Sequence, residues 1–342
     1  MPAMNKPITT KQPSIAVYGI YRNEQKSIER FLDSVQPADE IVLCDTGSDD
    51  NTNQIISQYK ECHPQVNLQI YSICVSPWRF DDARNTALSL VSPTIDLCLA
   101  LDIDECLMNG WKTHLLSYWE PGYTKYYHKF KTIWSTGNLA EHWHERIHAR
   151  AGYTWKLPIW EILEYNGPEK IKWLPDFWVY HRPVADKPRV NYLPLLEQAV
   201  KERPAVWKSW CFLANEYLTA GRYEEARKAV DKALDLETSD KGYLYKMKYL
   251  IYKAQNQVNL ALINLNNMIL HLSDRREAYF EKAVYLHQLG RHHEAFISLQ
   301  EGKKITARII DYHYNPAAWD NEFEHWEDQL GKLAGKEGVN IE

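Results

Sequence analysis

Three acids close the run LALDIDECL at residues 99 to 107, and two of them, Asp102 and Asp104, are separated by a single isoleucine. A spacing of two is the period of an extended chain, which turns both carboxylates to one side and Ile103 to the other. Like charges that close repel, so the pair calls for a cation or hydrogen-bond donors beside it. A second cluster, HWHERIHARAG, sets His142 and His144 on one strand face or His144 and His148 on one helix face. No cysteine or acid completes a zinc set there.

The elements that must position the acids follow from the pattern around them. SIAVYGI (14 to 20) reads as a buried strand, NEQKSIERFLDSV as an amphipathic helix, and EIVLCDTGS as a strand running into a turn. TNQIISQYKE is helical, NLQIYSI is a strand, and DDARNTALSLV is a helix leading into the DLCLALD strand. Strand and helix in alternation predict an α/β, Rossmann-like, mainly parallel sheet covered by helices. The acids then stand at a strand's C-terminal end, where open α/β sheets bind ligands.

From about residue 190 the strand signals stop. Gly221, Asn256 and Gly290 fall 35 and 34 residues apart, as do Ala226, Ala261 and Ala295. A period of about 34 with a turn residue between two helices predicts an all-α, tetratricopeptide-like repeat domain. One unit cannot bury its apolar face alone, so three stack, with the helix around NEFEHWEDQLGKL as a cap. The expected division is residues 1–187 and 188–342. The repeats serve either as a structural appendage or homodimer surface, or as a docking groove for an acceptor or protein partner.

Taken in order, YRNEQKSIERFLDSV, DEIVLCDTGSDDNT, FDDARNTAL and LALDIDE resemble the family 2 glycosyltransferases of the A-type nucleotide-sugar fold, in the subset carrying tetratricopeptide repeats. The resemblance implies sugar transfer, hexosyl transfer foremost, from a nucleoside diphosphate sugar, with a uridine diphosphate sugar the first donor to test, to a hydroxyl of a glycan or glycoconjugate. The diphosphate leaving group needs a cation, for which Mn²⁺ or Mg²⁺ held by one or two carboxylates is the usual solution. Asp102 and Asp104 match the family's acidic pair, Asp104 as the more direct metal ligand and Asp102 shared between metal and donor. Tyr21, Asn23, Glu24 and Asp45 match nucleoside-binding positions, although Glu24 and Asp45 also suit helix capping. Arg84 matches a basic residue facing the nucleotide; its competing role is an ion pair with Asp81 or Asp82. Members commonly carry Pro-Ile-His-Glu where GYTWKLPIWEIL stands here, so Trp160 replaces the usual histidine and Glu161 is retained. An inverting transferase needs a base for the acceptor proton, and Glu161 is the candidate. Without the usual histidine, His181 of VYHRP becomes the candidate third metal ligand.

Other classes fit less well. A nucleotidylyltransferase would need a glycine-rich phosphate loop after the first strand, and YGIYRNE has none. A catalytically impaired nucleotide-sugar-binding scaffold acting through its repeats is the alternative that the lost histidine leaves open. No run of eighteen apolar residues predicts a membrane span, and MPAMNKPITTKQPS has no apolar stretch before a cleavage site. Six cysteines without paired spacing suit reduced core thiols and a cytoplasmic location. A net charge of -5 argues against a surface built to coat nucleic acid. Nine of the thirteen tryptophans lie between 78 and 178, where indole faces suit sugars and protein cores equally.

Overall fold

The computed structural model describes residues 12–135, 139–184, 191–309, 311 and 313–336. The expected boundary at 187/188 lies outside them, as does most of the N-terminal stretch read against a cleavable leader. Two compact units, Met1–Arg189 and Val190–Glu342, make up the chain.

In the first unit the order is β1 (Ile15–Tyr21), α1 (Ile28–Val35), β2 (Glu40–Asp45), α2 (Thr52–Cys62), β3 (Leu68–Ser72), α3 (Phe80–Leu90), β4 (Leu97–Ala100), β5 (Glu105–Leu107) and α4 (Trp111–Tyr118). There follow β6 (Lys125–Ile133), β7 (Leu139–Ala149), β8 (Tyr153–Lys156), β9 (Ile162–Tyr165) and β10 (Ile171–His181). Eight strands form a mixed, mostly parallel sheet in the order β3-β2-β1-β4-β7-β6-β10-β5, and β8 pairs with β9 in a separate hairpin. The uninterrupted apolar strands β1, β2 and β4 are buried along their length, as expected for parallel strands covered on both faces. One core sets Phe31, Leu32 and Trp111 against Val17, Leu99 and Phe177; the other sets Ala87 and Leu88 of α3 against Tyr18, Cys98 and Trp155. The chain leaves β1 for β2 and β3 on one side and returns to β4 on the other, so the strand order reverses between β1 and β4. Gly19 permits the close approach there, because a Cβ at this position would meet the Leu101 carbonyl oxygen at 2.6 Å.

A buried polar chain ties the hairpin to the sheet. Trp155 Nε1 donates to the Tyr18 hydroxyl at 2.7 Å, the hydroxyl lies 2.9 Å from His148 Nε2, and His148 Nδ1 lies 2.8 Å from the Ala149 carbonyl. A neutral imidazole satisfies this arrangement, with Nδ1 donating and Nε2 accepting. Burial, with Lys125 and Arg150 adding to it against the Ala149 bond, lowers the His148 pKa to about 4. Burial likewise lowers His128 to about 4, against its bond to the Lys129 carbonyl and with help from Arg146 and His142. Between pH 6.5 and 4 the unfolded chain takes up protons that these two rings refuse, so stability falls as pH falls through that window and is unaffected by them above it. The expected loss at pH 4 is about 3 kcal/mol for each ring. Urea unfolding at pH 7 and pH 4.5 measures it, and His148→Gln should flatten the dependence; equal stability at both pH values would contradict the assignment.

The second unit is helical: α5 (Leu193–Glu202), α6 (Trp207–Thr219), α7 (Tyr223–Leu234), α8 (Lys241–Ala254), α9 (Val258–His271), α10 (Arg276–Gln288), α11 (His292–Lys303) and α12 (Asn321–Lys336). Gly221, Asn256 and Gly290 end α6, α8 and α10 with φ of 72°, 56° and 75°. The next residues, Arg222, Gln257 and Arg291, donate their amides back to Tyr217, Tyr252 and Leu286 at 2.8, 2.9 and 3.0 Å, closing each helix in the same left-handed turn. Ala226, Ala261 and Ala295, fully buried, let the second helix of each pair approach the first. Phe323 and Leu330 of α12 cover Leu299 and Phe280 of the last pair.

Candidate active site

β4 stops at Ala100, and Asp102 and Asp104 stand in the tight connection to β5. The Glu105 amide donates to the Asp102 carbonyl at 3.0 Å, and the Glu105 carboxylate accepts the Asp102 amide at 3.0 Å. This turn replaces the extended path expected from the one-residue spacing and sends the two aspartates to different partners.

Asp102 lies between two guanidinium groups. Arg84 Nη2 reaches Oδ1 at 2.6 Å and Arg146 Nη1 reaches Oδ2 at 2.9 Å. Burial raises its pKa, but Arg146 and Arg84 outweigh that and hold the carboxyl well below the usual range. Arg146 also contacts the buried Glu105 at 3.2 Å, whose pKa is raised by burial, with Arg146 opposing and Asp102 and Asp104 reinforcing. An irregular register places Arg146 there: between the pairs Tyr126↔Ile147 and His128↔His144, β7 advances three residues while β6 advances two. Such bulges re-aim side chains beside sites.

Arg84 also joins Asp102 to Glu161. Its Nε lies 3.5 Å from Glu161 Oε1, with the Arg84 side chain 5% exposed and that of Glu161 9%. Neither atom makes a hydrogen bond, so this is a charge contact of loose geometry. Arg84 does not pair with Asp81 or Asp82; Arg79 does, at 2.7 and 3.7 Å. Its neighbour Asn85 fixes the hairpin by exchanging hydrogen bonds with the Trp155 backbone at 2.8 and 3.0 Å, and the Phe80 amide donates to the Pro158 carbonyl at 3.0 Å. Helix α3 therefore positions both Arg84 and the segment that carries Glu161. Trp160, with φ of 54°, is 50% exposed beside it. Replacing Arg84 by Met leaves Asp102 and Glu161 without this partner and should cost about 3 kcal/mol of stability, read as a lower urea midpoint; an unchanged midpoint would show the pair to be energetically neutral.

Asp104 faces His181, with Oδ2 to Nε2 at 3.2 Å. His181 Nδ1 lies 3.3 Å from the Thr132 hydroxyl, which orients the ring. Burial lowers the His181 pKa, but the hydrogen bond and charge of Asp104, with Glu105 and Asp102 behind it, leave it raised. Among the described residues no group of three or more His, Cys, Asp or Glu side chains has a metal-binding arrangement. A carboxylate oxygen and an oriented imidazole nitrogen nevertheless suit a two-ligand set completed by phosphate oxygens and water.

The ends of β1 and β2 carry the remaining predicted residues. Asp45 Oδ1 accepts from the Gly47 and Ser48 amides and the Ser48 hydroxyl at 3.1, 2.9 and 2.8 Å; Oδ2 accepts from Asn53 at 2.8 Å. Burial raises its pKa, but these bonds win and lower it. The buried Tyr21 donates its hydroxyl to Asn53 at 2.7 Å. Asn23, with φ of 58°, receives the Asp49 amide at 2.9 Å and donates to its carboxylate at 2.7 Å. The Glu24 amide donates to Thr52 Oγ1 at 2.8 Å. These contacts lock the loop after β1 to the loop after β2, and Asp50 rather than Asp45 receives the first-turn amide of α2, from Thr52 at 2.9 Å.

The family model for glycosyl transferase family 2 matches residues 18–177, from Tyr18 in β1 to Phe177 in β10. This part of the chain belongs to glycosyl transferase family 2. A tetratricopeptide repeat model matches residues 207–240, which hold α6 and α7. No curated protein matches the sequence. Among solved structures, two of MamA are 18% and 15% identical, cover 42% and 43% of this chain and 78% and 88% of their own, and have TM-scores of 0.30 and 0.31. TarS of S. aureus is 14% identical with a TM-score of 0.40; the match covers 77% of this chain and 55% of TarS.

Within the glycosyltransferase domain, the structure joins Arg84, Asp102 and Glu161 in one charged group and Asp104 with His181 in another. Tyr21, Asn23, Glu24 and Asp45 form a third group around the neighbouring strand ends. Sequence reasoning missed Arg146, Glu105 and Thr132. Glu105 was visible as the third acid of the run, but Arg146 is one basic residue in a histidine-rich strand, with no spacing that marks it. His142 and His144 do share a strand face, with ring centroids 5.7 Å apart beside Phe130.

Proposed function

We propose that the chain is a metal-dependent, inverting glycosyltransferase that moves a hexosyl group from a nucleoside diphosphate sugar, a uridine diphosphate sugar first among candidates, to a hydroxyl of a glycan or glycoconjugate. The observation that carries this reading is the charged group Asp102-Arg84-Glu161 beside the Asp104-His181 pair, just past the strand ends where the sheet order reverses. Ligands of open α/β sheets bind at such a point.

Asp104 and His181 would hold Mn²⁺ or Mg²⁺, which when bound neutralises charge developing on the diphosphate. Asp102, kept ionised by Arg84 and Arg146, accepts hydrogen bonds from donor hydroxyls. Asp45, Tyr21, Asn23 and Glu24 shape the nucleoside pocket by fixing its two loops. Glu161 takes the proton from the acceptor hydroxyl as that oxygen attacks the anomeric carbon and the diphosphate departs from the opposite side. Action in the cytoplasm is part of the proposal; no helix among the described residues is long and apolar enough to cross a membrane. The catalytic part is proposed to end near residue 187, and the repeats to bind a protein partner, a second copy or an extended acceptor.

A thermal-shift panel of nucleoside diphosphates with and without Mn²⁺ tests the reading, because a ligand of the native state raises the melting temperature by mass action. The expected result is a shift with one nucleotide that grows with Mn²⁺. Shifts with none of them would sink the proposal.

A further inference from the structure

One face of strands β6, β7 and β10 takes no part in the charged groups described above. Side chains alternate along a strand, so His128 and Phe130 turn to the core while Tyr127, Lys129 and Lys131 turn outward. In register with them stand Trp173 opposite Tyr127, Trp143 opposite Lys129 and Glu141 opposite Lys131. Trp173 is 52% exposed and Trp143 36%, yet both rings are held. Trp173 stacks on Tyr127 with centroids 4.4 Å apart, and Trp143 meets Trp173 edge-on at 4.7 Å. Lys129 Nζ lies 4.2 Å from the Trp143 ring and Lys131 Nζ 4.8 Å from that of Trp178. Lys131 pairs with Glu141 at 2.5 Å, and the Tyr127 hydroxyl donates to Glu145 at 2.6 Å.

We infer that this face binds a neutral saccharide chain at a subsite separate from the one where sugar is transferred. The inference rests on the proposed action on a glycan acceptor. Sugar rings offer apolar CH patches to an indole and hydroxyls to groups at its rim, and here held indoles alternate with lysines and carboxylates on adjacent strands about 4.8 Å apart. Lys129 and Lys131 stand with Glu141 and Glu145, and the buried Lys125 on the same face pairs with Glu145 and Glu169, so three lysines and three glutamates balance and neither a polyanion nor a polycation is favoured. A protein interface would bury the lysines that lie against the indoles, at a desolvation cost; a hydrated saccharide leaves them wet.

The test uses the full chain in affinity electrophoresis through gels containing starch, mannan, xylan or hydroxyethylcellulose, with titration of the matching hexasaccharide. At least one polysaccharide should retard the protein, Trp173→Ala should bind the hexasaccharide about tenfold more weakly, and Asp104→Asn should bind like the unaltered chain. Retardation by none of the four, or equal binding by Trp173→Ala, overturns the inference. So does loss of self-association in that variant with saccharide binding kept, which would make the face a protein interface. Should Trp173→Ala fail to fold, oxidative footprinting of the unaltered chain decides: bound hexasaccharide should protect Trp173 and Trp143, and no protection overturns the subsite. Because binding is read without donor, a nucleotide thermal shift with no saccharide binding rejects only the subsite, whereas saccharide binding with no nucleotide shift rejects the transferase reading.

Discussion

Asp104→Asn is expected to lose sugar transfer by about a thousandfold, equivalent to about 4 kcal/mol of transition-state stabilisation, while keeping its fold. Both halves of that expectation follow from the position of the side chain. Asp104 and His181 form a partly exposed pair, 19% and 27% accessible, and such pairs contribute under about 1 kcal/mol to stability. Melting should therefore change little. Both Asp102 oxygens, expected to be shared between metal and donor, are engaged by Arg84 and Arg146, which leaves Asp104 and His181 as the direct protein ligands of the proposed metal, so removing the charged one leaves an imidazole and the donor's own oxygens. Calorimetric titration of Mn²⁺ in the presence of nucleotide should show weakened metal binding in both Asp104→Asn and His181→Gln, with part of the His181→Gln activity restored by higher Mn²⁺. Turnover near that of the unaltered chain in Asp104→Asn would remove the acidic pair from the mechanism.

How far the site was legible depends on whether a contact is set by local pattern or by register. FDDARNTAL announced a helix that carries Arg84, and LALDIDE announced a strand end, because both rest on periodicity within one element. The turn residues Gly221, Asn256 and Gly290 were equally plain: a repeat period exposes equivalent positions even where glycine gives way to asparagine, which also tolerates left-handed φ. Arg146 was opaque. Its approach to Asp102 spans 44 residues and depends on one extra residue in β7, which no propensity encodes. The path through Asp102 to Asp104 was misjudged for a related reason. The mutual hydrogen bonds of Asp102 and Glu105 turn the chain just after Ala100, and the positive partner of Asp102 is arginine from two other elements. The expected nucleoside-binding positions are already engaged within the protein: Asp45 accepts from Gly47, Ser48 and Asn53 and Tyr21 donates to Asn53, so under the proposed function these two would also act by shaping the loop between β2 and α2.

Glu161→Gln separates catalysis from architecture most sharply. The substitution keeps the size and planar shape of the side chain but removes the charge that would receive the acceptor proton, so turnover should fall about 10²- to 10⁴-fold. Donor affinity should stay close to that of the unaltered chain, because Arg84 retains its 2.6 Å contact with Asp102 and Asp102 retains Arg146. Stability should fall only modestly, since Arg84 Nε and Glu161 Oε1 stand 3.5 Å apart without a hydrogen bond to lose. The diagnostic is the split: kcat collapses, nucleotide binding by thermal shift persists, and acceptor KM moves little. Glu161→Asp, with the carboxylate withdrawn by one methylene, should recover part of the lost rate. A parallel loss of nucleotide binding and turnover in Glu161→Gln would instead place Glu161 in the Arg84-Asp102 scaffold, and the base would have to be sought elsewhere.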